Sequence, residues 1–437
     1  MTALKVGLAG LGTVGLGTWN VCKNNADEIV RKAGKEVKVI AVAEPKENIF
    51  TSLEKNNANY FSDAMKLIDV SEIDVIVELI GGDTFAKTLV IEALKKGKHV
   101  VTANKALLAK HGNEIFKVAD KNGVTVGFEA AVAGGIPIVK VLREGLTANS
   151  IEWIAGIING TANYILSEME GRGINFEKAL KEAQDFGFAE ADPTLDIEGY
   201  DSAHKLALLA SMAFGIKLNL DKVLVDGITN LDLREVIYAK KLGYKIKSLG
   251  IARRKNSDIE LRVHSTLIPE NCLMASVNGA MNAVMVNGNA VGNTLYYGQG
   301  AGAAPTASAV VADLVDIARR TDSKKIIAGV PALSFQSEQL KDLNVLDHFS
   351  IESGFYLRFT VLDQAGVLAD ITRCLSNENV SIDAFFQKKH LTDDTSTDVV
   401  LLIHKCMGAN LFNAVKSIKA IDTVTENPIV LRVESLK

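Results

Sequence analysis

Over roughly the first 130 residues the apolar positions follow two alternating rhythms. Short runs rich in branched side chains, Lys5–Ala9, Val37–Ala43, Val75–Leu79, His99–Thr102 and Val124–Phe128, read as strands. Between them, stretches such as Phe85–Lys96 and Gly112–Asn122 repeat apolar residues every three or four positions and read as helices. Parallel strands need a crossover, so this alternation predicts βαβ units in a doubly wound parallel sheet of α/β class.

The rhythm changes after Pro137, which suits a helix first turn. Strand candidates Ile151–Ile158, Ile259–Ser265 and Val284–Asn287 mix with helices Phe176–Phe186 and Tyr200–Phe214, a second domain of α+β type. Gly298-Gln299-Gly300-Ala301-Gly302 then opens an amphipathic helix, about Pro305 to Arg320, expected to return to the first domain. After a polar linker, Phe355–Val361 alternates as a strand, Gly366–Asn377 is helical, and strand, strand, helix, strand follow. That β-α-β-β-α-β order is ferredoxin-like. The expected domains are 1–133 completed by 303–330, 134–302, a linker at 331–353, and 354–437.

A length of 437 residues fits this count. With 48 Lys and Arg against 52 Asp and Glu, a net charge of −4 gives no basic surface for nucleic acid or membrane. No run reaches the ~18 apolar residues of a spanning helix and no signal-peptide pattern opens the chain, so a cytoplasmic protein is expected. Cys22, Cys272, Cys374 and Cys406 are scattered and read as reduced structural thiols.

Gly10-Leu11-Gly12-Thr13-Val14-Gly15 is G-x-G-x-x-G between a strand and a helix, the setting in which glycines let a pyrophosphate approach a helix N-terminus. The second strand ends at Glu44, an acid placed to meet an adenosine ribose and so to favour NAD. It lies far from the glycines because the intervening helix reads as long, and Lys46 could instead meet the 2′-phosphate of NADP; the choice stays open. Lys105 follows a strand at the carboxyl edge of the sheet, where such folds bind ligands, although a surface lysine at a helix start is an equal reading. The densest polar cluster is Ala183–Lys205. Asp201 and Lys205, four apart, share a helix face, with Glu190, Asp192 and Asp196 in the preceding loop. Taken alone, this could be a solvated acidic loop with one ion pair.

The same stretch resembles the homoserine dehydrogenase signature A-x3-G-hydrophobic-small-x2-D-P-x2-D-hydrophobic-x-G-x-D-x3-K, met at Ala183, Gly187, Asp192, Asp196, Gly199, Asp201 and Lys205. Glu78–Gly82, Thr102–Lys105, Asn159–Tyr164 and Gly300–Gly302 are similar to further motifs of that family. The resemblance implies interconversion of L-homoserine and L-aspartate 4-semialdehyde, as in threonine, methionine and isoleucine biosynthesis. It makes Lys205 the proton donor and acceptor, Asp201 its partner and Lys105 a second active-site lysine touching cofactor or substrate. It makes Glu190, Asp196, Thr161 and Gly187 substrate ligands, and Gly10, Gly12, Thr13, Val14, Gly15, Glu44, Lys105 and Gly302 the cofactor contacts. The middle domain becomes the catalytic and dimerisation domain of a homodimer or homotetramer.

Glu129–Pro137 resembles the family's sodium loop, whose ligands are main-chain carbonyls, here those of Glu129, Val132, Gly134 and Ile136. Where the family often has Arg-Asp after the second strand, this chain has Ala43-Glu44, which speaks against an automatic assignment of NADP. The C-terminal segment resembles an ACT domain, with Asp363–Leu368 at its first strand-to-helix turn, implying feedback inhibition by L-threonine. Two rivals fit less well. An aldehyde-oxidising dehydrogenase needs a cysteine nucleophile beside a base, and an amino-acid sensor leaves the acidic and lysine cluster without a task.

Overall fold

The computed structural model describes residues 3–53, 57–321, 330–389 and 395–437. Among these the strands, in chain order, are β1 (Leu4–Ala9), β2 (Val37–Ala43), β3 (Asn59–Phe61), β4 (Val75–Glu78), β5 (His99–Thr102), β6 (Val126–Gly127), β7 (Ile151–Ile157) and β8 (Leu224–Val225). There follow β9 (Tyr244–Lys255), β10 (Asp258–Pro269), β11 (Met281–Gly288), β12 (Gly292–Gln299), β13 (Glu352–Leu362), β14 (Ile382–Lys389), β15 (Ser396–Met407) and β16 (Ile429–Val433). The chain divides into two compact units: Met1–Gly160 with Asp201–Val223 and Ala280–Leu343, and Thr161–Tyr200 with Leu224–Gly279 and Asn344–Lys437. No helix among the described residues is long and apolar enough to cross a membrane.

In the first unit the expected parallel sheet is present, in the order β3-β2-β1-β4-β5-β6. The order reverses between β1 and β4, and the carboxyl ends of those two strands therefore open a crevice. Leu4, Val6, Leu8, Val75, Val77 and Val101 are buried, and Val310, Leu314 and Ile317 of the helix Ala303–Arg320 share their core. Residues 322–329, part of the segment expected to return, lie outside the described residues. A separate antiparallel ladder joins β7, β11 and β12.

Several sequence expectations need correction here. The single long helix after the glycines is two, Thr13–Asn24 and Ala26–Ala33, broken where Asn25 leaves helical geometry at φ −110° and ψ 20°. The helix expected from Gly112 starts at Lys105, because the Asn104 side chain accepts a hydrogen bond from the Leu107 N–H at 3.0 Å and caps it. The strand Val124–Phe128 shrinks to Val126–Gly127, since the chain turns at once into a 3₁₀ turn, Glu129–Ala131.

The second unit is built on the β9–β10 hairpin, paired from Lys255↔Asp258 to Tyr244↔Pro269 around a tight turn with Asn256 at φ 56°. The other edge of β10 takes β8 at Arg262 and Val263 and β16 at Thr266 and Leu267. Beyond β16 come β13, β15 and β14, so the last four strands, separated by helices Val367–Asn377 and Gly408–Lys419, show the expected β-α-β-β-α-β order.

Lys247 on β9 is buried with no carboxylate among the described residues in hydrogen-bond reach; its ammonium donates to the Val277 carbonyl at 2.6 Å and to Asn278 Oδ1 at 3.1 Å. Burial pushes its pKa down to about 8, with Glu170 opposing. The unfolded chain holds this proton to about 10.4, so it binds more protons than the native state across that window and stability rises with pH there. Urea unfolding at several pH values should show wild type gaining about 1–3 kcal/mol relative to Lys247→Met between pH 8 and 10. A constant difference would remove the buried ammonium as the cause.

Candidate active site

At the carboxyl end of β1 the chain turns through Gly10 at φ 95°, where a side chain would strike the Leu79 carbonyl, and a Cβ on Gly15 would lie 2.0 Å from the Gly10 carbonyl oxygen. Those glycines are demanded by the turn itself. Gly12 is not: a Cβ there would meet nothing within 4 Å. The open space lies before the helix Thr13–Asn24, whose first turn, with Thr13, Val14 and Gly15, has no side-chain cap. Unshared N–H groups and the helix dipole suit a phosphate at this point. Gly302, at φ 115°, occupies the corresponding place before the helix Ala303–Arg320.

A cavity of about 500 Å³ adjoins these glycines, lined among others by Gly10, Gly12, Glu44, Ser62, Asp63 and Phe85. Glu44 is mostly buried. Its Oε2 accepts the Leu11 N–H at 2.9 Å and its Oε1 the Lys46 N–H at 3.1 Å, so the carboxylate is fastened to the glycine-rich turn. The long sequence gap to the glycines is taken up by the broken helix. The lining carries two carboxylates, Glu44 and Asp63, and no lysine or arginine.

Farther along the sheet the structure gathers Lys105, Asp201 and Lys205. Asp201 is buried on the helix Tyr200–Phe214, and one turn later Lys205 Nζ donates to its Oδ2 at 2.7 Å and to the Ile158 carbonyl at 2.7 Å. Asn159 Nδ2 reaches the same Oδ2 at 2.9 Å, and Lys105 Nζ lies 3.0 Å from Oδ1. Burial alone would raise the Asp201 pKa. The charges of Lys205 and Lys105, with hydrogen bonds from Lys205 and Asn159, overcome it and hold the carboxyl well below the usual range. Lys105 remains 40% exposed, whereas Lys205 is only 11% exposed. One lysine is thus in reach of solvent and the other is sequestered beside a permanent anion.

Lys105 owes its place to a buried carboxylate that sequence reasoning gave no role. Glu78, at the end of β4, accepts N–H groups of Ile80 and Gly81 on Oε1 and the Thr102 hydroxyl, at 2.6 Å, on Oε2. Thr102 in turn accepts the Asn104 N–H, and Asn104 caps the helix that begins at Lys105. Glu78 and Asn159 stand inside motifs the sequence singles out. Thr102 lies 24 residues from Glu78 and Asp201 lies 42 from Asn159, so motif spacing held no sign of either long-range contact.

In the second unit the Thr161 hydroxyl lies 2.6 Å from the Phe188 carbonyl and 3.2 Å from Asp196 Oδ2. Gly187 turns the chain at φ 74°, and the Glu190 carbonyl accepts a hydrogen bond from the Gln184 side chain while the residue itself stays exposed. Asp192 accepts both the N–H and the hydroxyl of Thr194, a turn-forming task.

The Glu129–Ile136 loop of the first unit turns through Ala133 at φ 53° and Gly134 at φ 43°. Glu129 points its carboxylate inward, where it accepts the N–H groups of Val139 and Lys140, each at 2.9 Å, and burial with Asp313 nearby pushes its pKa up to about 7. The Ile136 carbonyl accepts the Ile138 N–H at 2.7 Å. Among the described residues no group of three or more His, Cys, Asp or Glu could hold a metal.

Two family models match the chain: one described as the homoserine dehydrogenase NAD-binding domain, over residues 10–129, and one as homoserine dehydrogenase, over residues 137–315. The chain is 51% identical over 438 residues to a homoserine dehydrogenase of Pseudomonas aeruginosa and 49% identical over 436 residues to one of Neisseria gonorrhoeae, each covering 100% of both chains. It superposes on a crystal structure of a homoserine dehydrogenase from Thiobacillus denitrificans with a TM-score of 0.94 at 51% identity, covering 100% of this chain and 99% of that one. The S. aureus enzyme crystallised at pH 7.5 gives a TM-score of 0.75 at 30% identity, covering 99% of each.

Proposed function

This chain belongs to the homoserine dehydrogenase family, and is an oxidoreductase; from that premise we propose that Lys205 moves the proton while L-homoserine and L-aspartate 4-semialdehyde interconvert. The supporting observation is the contact of Lys205 with Asp201, braced on its other oxygen by Lys105. A bound nicotinamide dinucleotide supplies the hydride acceptor or donor. Lys205, as the free amine, takes the hydroxyl proton when the alcohol is oxidised and returns it in the reverse direction. Asp201 keeps its charge throughout and offsets that of the ammonium so formed. Lys105, more exposed, contacts cofactor or substrate, and Thr161, Gly187, Glu190 and Asp196 hold the substrate.

Gly10, Gly12, Thr13, Val14, Gly15 and Gly302 fit a dinucleotide, and the acidic lining around Glu44 favours the ribose hydroxyl of NAD over the 2′-phosphate of NADP, since like charges placed together cost several kcal/mol. With purified protein and L-homoserine, absorbance at 340 nm should rise faster with NAD than with NADP, and Glu44→Ser should shift the ratio of kcat/KM toward NADP by about tenfold or more. No rise with either cofactor would overturn the proposed reaction, and a wild-type preference for NADP would overturn the role of Glu44. The main-chain oxygens of Glu129, Val132, Gly134 and Ile136 would hold sodium, and the cytoplasmic enzyme works as a homodimer or homotetramer.

The C-terminal segment acts as an ACT domain through which L-threonine inhibits. Supporting this are its strand order and the turn at Asp363, whose N–H donates to the Thr395 carbonyl, with Gly366 at φ 98° before the helix. Deleting residues 354–437 would strip β10 of β16 and leave the buried Glu235 without Arg358, so a point change is the cleaner test. Millimolar L-threonine should slow wild type, and Asp363→Ala should relieve the inhibition. Full activity of wild type in threonine would remove the effector.

A further inference from the structure

The free edge of β10 is covered from two sides and left open between them. β8 pairs at Arg262 and Val263, β16 at Thr266 and Leu267, so His264 and Ser265 face a seam. Val263 and Thr266 are three residues apart, about 10 Å along the strand. A cavity of about 600 Å³ fills this seam, with Asp226 on the β8 side, Arg432 on the β16 side and Leu231, Phe355 and Ile429 among its apolar lining.

The two charged walls are incompletely matched. Arg432 is 6% exposed; its Nη2 donates to the His348 carbonyl at 3.1 Å, its guanidinium lies 5.0 Å over the Phe355 ring, and its Nη1 is buried with no hydrogen-bond partner. Glu434 and Glu260, the nearby acids, are committed to Arg253 and Arg262. A buried guanidinium N–H without an acceptor is costly, and a carboxylate is the acceptor that best matches it. Asp226, just past β8, spends its N–H on the Val263 carbonyl, while no cation among the described residues pairs with its carboxylate. His264 between them is tied to Arg262 and Thr266 and held neutral by burial and the neighbouring arginines.

We propose that this seam is a second amino-acid site, taking an L-α-amino acid with a short aliphatic side chain: carboxylate toward Arg432, ammonium toward Asp226, side chain on the apolar lining. A simple carboxylic acid or phosphate would leave Asp226 unused. The seam is also distinct from the Asp363 turn, because Phe355 and Leu362 sit seven residues apart on β13, about 23 Å along the strand.

The test uses the intact enzyme with L-threonine, L-isoleucine and L-methionine as probes, read by calorimetry and by hydrogen exchange. At least one should bind, slow exchange in 224–231 and 427–432, and lose about tenfold or more in affinity in both Asp226→Asn and Arg432→Gln. Asp363→Ala should leave that binding unchanged. Asp226 is exposed, so its variant and the exchange map decide the matter even if Arg432→Gln fails to fold. Binding of none of the three, protection of 224–231 and 427–432 that survives Asp226→Asn, or protection confined to the Asp363 turn overturns the proposal. The last result would do so while leaving threonine feedback standing, and seam binding without inhibition would do the reverse.

Discussion

Lys205→Ala is expected to lower turnover with L-homoserine by about two to four decades while the dinucleotide still binds, the range typical for removal of a general acid or base. The physical reason is placement. Lys205 is held by the Ile158 carbonyl and Asp201 in a site from which water is largely excluded, and among the described residues no other lysine shares both contacts. The measurement is steady-state kcat alongside NADH fluorescence titration of the same variant. Turnover within a few-fold of wild type would remove Lys205 from the chemistry, and loss of NADH binding would show a structural defect instead.

The second large effect concerns Asp201→Asn. The amide keeps the shape of the carboxylate and removes its charge, leaving the buried Lys205 ammonium without a counter-ion. Breaking a buried pair in this way costs about 3–5 kcal/mol of stability, because the surviving charge stays desolvated. Turnover should fall as well, since Lys105 and Lys205 converge on the two oxygens of this one group. The pH dependence has a definite sign. The folded-state pKa of Asp201 is depressed, so the stability it contributes is fully present above the unfolded-state value of about 3.9 and is lost as pH falls through the folded one. Urea unfolding of wild type and variant should therefore differ by a constant amount at neutral pH and converge only in strong acid. A neutral-pH difference below about 0.5 kcal/mol, the level of an ordinary surface substitution, would mean that the cluster is not a coupled unit.

How much of this was legible beforehand depends on sequence separation. The strands β1, β2, β4 and β5 could be read because a parallel strand buried on both faces is a continuous apolar run, a local property. The pairing of Asp201 with Lys205 was legible too, since helical geometry puts residues four apart on one face. By contrast, the β9 strand Tyr244–Lys255 carries enough polar residues to hide its period, and only its β10 partner reveals it. The cap behind the helix start at Lys105 escaped, because it is a single Asn104 contact whose position is set through Thr102 by Glu78, 27 residues before Lys105.

What the chain by itself determined is the parallel α/β sheet, the glycine-rich turn, the β-α-β-β-α-β ending and the acidic and lysine motifs, each encoded by neighbours within one turn or one strand. Tertiary structure alone decided which distant groups meet: Lys105 and Asn159 on Asp201, Glu44 on the Leu11 amide, and Arg432 across the β10 edge from Asp226. Such contacts close loops of tens to hundreds of residues, and no local periodicity records them; they exist because packing of the whole core holds both partners in place.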